Sequence, residues 1–173
     1  MQIPIRHDAR PRTRAGLATA LLFTLTLTGC GSIVPLEAAV NANDPVCANL
    51  IVRLPDVVAD QPQRETNAQS TSAWGEPASV LLYCGIESSG PTELPCTNLN
   101  GVDWIVDDSR APLYRFEAYG REPGLEVIID NEAETPVSST TVLIDLEQAV
   151  KELPQKRHCT ATDDLTIGED TGT

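Results

Sequence analysis

The tetrad Leu27-Thr28-Gly29-Cys30 constrains this chain more than any other stretch. Small residues directly ahead of a cysteine make a lipobox, where a signal peptide is cut and the thiol becomes the lipid attachment point. Two further layers agree with it. Arg6, Arg10, Arg12 and Arg14 form a positive n-region, and Ala15 to Thr28 is a 14-residue apolar stretch carrying Leu17, Leu21, Leu22, Phe23, Leu25 and Leu27. Secretory signals have this order, and the stretch is short of the ~20 residues a helix needs to cross a bilayer. The reading therefore divides the chain into a signal peptide, 1–29, and an exported part that begins at an acylated Cys30.

The exported part has 144 residues, enough for a single domain with a core of its own. It keeps eight basic and 24 acidic residues, a net charge of −16. Such a surface has no basic patch for nucleic acid. It also offers no electrostatic hold on anionic lipid, so the acyl chains are the expected anchor; two chains at ~0.8 kcal/mol per buried methylene suffice.

Apart from Cys30, four cysteines remain: Cys47, Cys84, Cys96 and Cys159. An even count in an exported domain reads as two disulfides, with three connectivities open. The preferred pairing is Cys84–Cys96 around a short loop and Cys47–Cys159 tying the ends of the domain together. A four-cysteine zinc site is the rival, but it lacks a Cys-x-x-Cys pair.

The sequence pattern places a lipid-anchored tether at 30–43, one α+β domain at 44–159 and a disordered acidic tail at 160–173. Asp44-Pro45 starts a helix as N-cap and first helical residue. Cys47, Leu50, Ile51 and Leu54 then share one face. The polar run Gln61 to Ser72 reads as loop. Period-two alternation follows at Val80–Ile86, Val102–Val106, Tyr114–Ala118 and Leu125–Ile129, with Val142–Ile144 as a fifth strand. Asp145 and Gln148 resemble a capping box opening a last helix that stops before Pro154. The expected fold is an antiparallel sheet of four to five strands with N- and C-terminal helices packed on one face, stapled by disulfides.

Several motifs recur in an order that resembles a known family. They are Asp44-Pro45-Val46-Cys47, Ala73-Trp74-Gly75-Glu76-Pro77, Cys84-Gly85, Asn100-Gly101-Val102-Asp103-Trp104, Tyr119-Gly120-Arg121 and the stretch Pro154 to Cys159. Together they resemble a family of actinobacterial secreted lipoproteins described only as a domain of unknown function. That family tends to carry a basic residue before its Cys-Gly pair, where this chain has Tyr83. The resemblance implies an envelope protein on the outer face of the membrane and transfers no catalytic residue. Its members are often encoded beside a peptidoglycan-precursor ligase, which associates it with envelope upkeep.

Catalytic constellations are scarce. His158 is the single histidine after the signal, no Gly-x-Ser-x-Gly elbow or phosphate loop occurs, and no cofactor or metal is called for. Asp103, Asp107 and Asp108 form the densest carboxylate group, which a solvated strand face explains as well as a calcium site or a glycosidase pair. Trp74 and Arg121 are the candidate binding residues, and Trp104 is assigned to the core. The expected function is a lipid-anchored, non-catalytic binding or accessory module for an envelope protein or wall precursor. The alternative is a carboxylate-dependent hydrolase of cell-wall polymer. A substrate-binding transport lipoprotein would need two lobes, which 144 residues do not supply.

Overall fold

The computed structural model describes residues 32–159. The expected signal peptide, 1–29, Cys30 with its neighbour Gly31, and the expected acidic tail, 160–173, lie outside the described residues. Helix α1 (Pro45–Ile51) starts where Asp44-Pro45 requires: the Asp44 carboxylate accepts the Val46 N–H at 2.8 Å. Strands follow as β1 (Val57–Val58), β2 (Gln61–Arg64), β3 (Thr71–Trp74), β4 (Val80–Ile86), β5 (Cys96–Leu99), β6 (Val102–Arg110), β7 (Leu113–Ala118) and β8 (Gly124–Asp130), and helix α2 (Ser139–Val150) closes the order.

All eight strands form one antiparallel sheet in the order β1-β2-β3-β4-β8-β7-β6-β5. It is two four-stranded meanders joined where β4 pairs with β8. The expected four to five strands are therefore too few. The polar run from Gln61 hides β2 and the start of β3, and Cys96–Leu99 makes an edge strand; none of these has an apolar alternation to betray it. What sets them is hydrogen bonding to a neighbour already in place.

One face of the sheet carries the core. Val80, Leu82 and Cys84 of β4, Leu125, Val127 and Ile129 of β8, Phe116 and Ala118 of β7, and Val102 and Trp104 of β6 pack with Cys47 and Leu50 of α1 and Val142, Leu143, Leu146, Ala149 and Val150 of α2. Helix α2 begins at Ser139, not Asp145, and absorbs the expected fifth strand Val142–Ile144. Ser138 is its N-cap, accepting the Thr141 N–H, and the buried stripe from Val142 to Val150 outweighs the β-branched start. Asp145 instead accepts the Ala59 N–H at 2.7 Å, fixing α2 to the β1–β2 turn.

The disulfides join Cys47 to Cys84 and Cys96 to Cys159. All four cysteines are oxidised as expected, but the pairing Cys84–Cys96 and Cys47–Cys159 is corrected. Strand order is the reason. β4 and β5 are separated by β8, β7 and β6, four spacings of ~4.8 Å, whereas bridged Cα atoms lie within ~7 Å. The short connection from Cys84 to Cys96 thus spans the sheet and is not a hairpin. Helix α1, lying over β4, brings Cys47 within 5.6 Å of Cys84, Cα to Cα.

Residues 32–43, expected as a flexible tether, are a packed strap. Val34 pairs with Thr66 and its N–H reaches Glu65 O at 2.9 Å; Leu36 N–H reaches Asn67 Oδ1 at 2.7 Å; Asn41 N–H reaches Gly85 O at 2.9 Å. Composition alone reads such a segment as free because the partners that lay it on the sheet, Glu65, Asn67 and Gly85, are distant in sequence.

Candidate functional site

Of the candidate carboxylates, Asp103 is 3% exposed and heavily used. Its Oδ1 accepts from Asn98 Nδ2 at 2.7 Å, and its Oδ2 from Gln155 Nε2 at 2.9 Å and the Cys159 N–H at 3.2 Å. His158 Nδ1 lies 3.2 Å from the same oxygen and 3.0 Å from Gln155 Nε2. The two Gln155 amide protons go to Asp103 and to Arg157 O, so Nδ1 carries the proton it gives to Asp103. Three donors crowd Oδ2 and one takes Oδ1, and at 3% exposure the carboxylate is buried away from a substrate. Asp103 does not form a pair with Asp107. Asp107 is only half-buried further along β6 and accepts from the Ser109 N–H; hydrogen bonds from Ser109 hold its pKa below the usual carboxylate range. Asp108 is exposed.

Trp74 and Arg121 are both interior, which corrects their reading as a binding face. Trp74 is fully buried in β3 and donates from Nε1 to Pro55 O at 3.0 Å. The Gly-Glu-Pro sequence after it suggests a surface turn, but the indole points inward from the last strand position. Arg121 is 5% exposed, and its Nη1 donates to Leu153 O at 2.6 Å. Burial pushes its pKa down against the pull of Asp103. It pairs through its backbone with Gln155. Trp104, expected in the core, is fully buried there.

These contacts explain the motifs. Gly120 has φ +69°, and a Cβ there would fall on the backbone of Arg157; Gly85 has φ +97°, and a Cβ there would fall on that of Asn41. Each glycine lets a terminal strap lie directly on the sheet. The Cys-Gly and Tyr-Gly-Arg motifs are seats for the two ends of the domain.

Two clefts are open among the described residues. The first, about 840 Å³, lies among Asn41, Asp44, Ile86, Glu122, Pro154, Lys156 and Arg157, where both straps meet. Arg157 donates to Ser89 O at 2.9 Å and sits 6.0 Å from the Tyr119 ring centroid. The second, about 780 Å³, lies on the sheet face opposite the core, between the N-terminal strap (Pro35, Leu36, Glu37) and Tyr83, Arg110, Arg115, Glu126 and Ile128. Burial first, then Glu126 and Glu37, raise the Tyr83 pKa, so its hydroxyl stays a neutral donor.

Sequence reasoning passed over Arg115, Glu117 and Glu126. Glu117 and Glu126 face each other across β7 and β8, and Arg115 pairs with both. Burial works against the Arg115 charge, but Glu126, then Glu117 and Asp107, raise its pKa overall. Glu117, 2% exposed, spends its carboxylate on the Ser89 N–H and hydroxyl, each at 2.6 Å. The signal available was the charged half of the β7 and β8 alternation. Among the described residues, no group of three or more His, Cys, Asp and Glu converges to hold a metal, and no helix is long and apolar enough to cross a membrane.

The fold and its staples define a small antiparallel-sheet domain with both ends strapped across it and two disulfides. Residues 24–158 match the family described as protein of unknown function (DUF3515), and the chain belongs to that family. No curated protein and no solved structure matches it.

Proposed function

We propose that this is an exported lipoprotein, held at the outer face of the membrane through Cys30, whose domain is a non-catalytic binding or accessory module for an envelope protein or wall precursor. The lipobox and the disulfide count support export. The observation that carries the non-catalytic reading is Asp103: the best-placed carboxylate of the densest acidic group gives both oxygens to internal donors. Glu117 is spent in the same way. The open surfaces are clefts of mixed charge, suited to polar recognition.

The test has two parts. Mass spectrometry of the membrane fraction should find an acylated N-terminal Cys30. Full-length protein incubated with isolated wall polymer should release no soluble fragments. Fragment release that disappears in Asp103→Asn, with the variant still folded at the assay temperature, would establish the hydrolase instead. For binding, Tyr83→Ala should lower crosslinked-partner yield in cells without lowering Tm.

A further inference from the structure

The N-terminal strap bears on how such a lipoprotein meets its membrane. Arg64, at the end of β2, has a side chain only 10% exposed and clasps the first described residue. Its Nη2 donates to Ser32 O at 2.5 Å and Ser32 Oγ at 3.1 Å, while Nη1 donates to Gly75 O at 2.9 Å and the guanidinium pairs with Glu76. Val34 and Leu36 are bonded to the backbone of Glu65 and the side chain of Asn67 directly afterwards. Between the lipidated Cys30 and this clasp stands one residue, Gly31. Two residue steps reach at most ~7 Å.

We propose that the protein has no tether: the Arg64–Ser32 clasp seats the β2 side of the sheet against the bilayer headgroups and holds the β5 side away from them. This rests on the lipidation of Cys30 proposed above. Three observations converge on it. Chain length confines the anchor to the neighbourhood of Ser32. Ile33, 56% exposed, is an apolar side chain beside the anchor, and the nearby Glu76 charge is answered by Arg64. The acidity of the domain opposes laying the whole sheet on an anionic surface. From β2 to β5 is six strand spacings, about 29 Å at ~4.8 Å each. The Cys96–Cys159 bridge therefore stands toward the wall. The Tyr83 cleft begins at Pro35, Leu36 and Glu37, three to five residues after Ser32, and runs across β4, β8 and β7, about 10–19 Å from β2 at ~4.8 Å per strand.

Full-length lipoprotein, purified from membranes and reconstituted in phosphatidylglycerol–phosphatidylcholine vesicles containing a nickel-chelating quencher lipid, tests the arrangement. A fluorophore on Glu76→Cys should be quenched several-fold more strongly than one on Leu94→Cys, in the exposed loop leading to β5. A 20-residue Gly/Ser insertion after Gly31 should bring the two close to equality. Equal quenching without the insertion, on protein that binds the vesicles, overturns the seated orientation and leaves the anchor standing. Failure to bind vesicles, with an unmodified Cys30 by mass spectrometry, overturns the lipid anchor and the orientation with it.

Discussion

The two ends of the folded domain are both irregular, yet a different charged side chain anchors each, Arg64 at the first and Asp103 at the second. Residues 32–43 are held both ways: Arg64 donates to Ser32 O and the Ser70 hydroxyl to Ala42 O at 2.6 Å, while the Val34, Leu36 and Asn41 N–H groups donate to Glu65 O, Asn67 Oδ1 and Gly85 O. Residues 154–159 give three donors to one acceptor, Asp103, buried in β6, and Pro154 O in turn accepts the Glu122 N–H at 3.0 Å. A glycine seats each strap, Gly85 on one side and Gly120 on the other, and a disulfide locks each. A segment outside any ladder still needs partners for its backbone, and here buried charges supply them. The difference lies in what each fastening leaves accessible. The N-terminal strap bridges over the Tyr83 cleft, and its disulfide is fully buried. The C-terminal strap presses on Asp103, and Cys96 of its disulfide is exposed.

The widest separation between the two should appear on reduction. Under native conditions a mild thiol should open Cys96–Cys159 first, while Cys47–Cys84 opens only when the domain unfolds, because exchange needs access to a sulfur. Alkylation followed by peptide mapping reads the order, and simultaneous opening would erase the distinction. Each bridge closes a loop whose chain-entropy contribution is about 4 kcal/mol.

Gly85→Ala and Gly120→Ala should come next, each destabilising by about 2–4 kcal/mol through positive-φ strain and collision with strap backbone. Denaturant midpoints measure this. A neutral Gly120→Ala would mean that the C-terminal strap is dispensable. Asp103→Asn should cost about 2–3 kcal/mol, since an amide offers one acceptor oxygen to four donors and turns its own N–H groups toward some of them. The smallest effect belongs to Arg64→Gln, about 1 kcal/mol, because Ser32 and Glu76 are exposed partners. Hydrogen exchange should nonetheless speed up at residues 34–36 in that variant and not at 155–159. Uniform acceleration would show that the straps are coupled.

Local pattern carried a good part of this architecture. Asp44-Pro45 and the spacing of Cys47 and Leu50 suffice for α1, and period two suffices for β4, β6, β7 and β8, because a cap and an alternation are properties of a few adjacent residues. An even count of four cysteines beyond Cys30 was enough to expect that all would be oxidised. Which cysteine meets which was settled only by strand order: β8 intervenes between β4 and the second meander, so Cys84 and Cys96, close in sequence, are held apart by the width of the sheet. The same holds for Trp74 and Arg121, whose side chains are polar-tipped and stand beside turn residues, and for Asp103, one acidic residue among many. Their surroundings come from residues 19 to 56 positions away, Pro55 under Trp74, Leu153 on Arg121 and Cys159 on Asp103. A strap is the extreme case. It has no periodicity of its own, and the bonds that lay it on the sheet end on parts of the chain that only folding brings near.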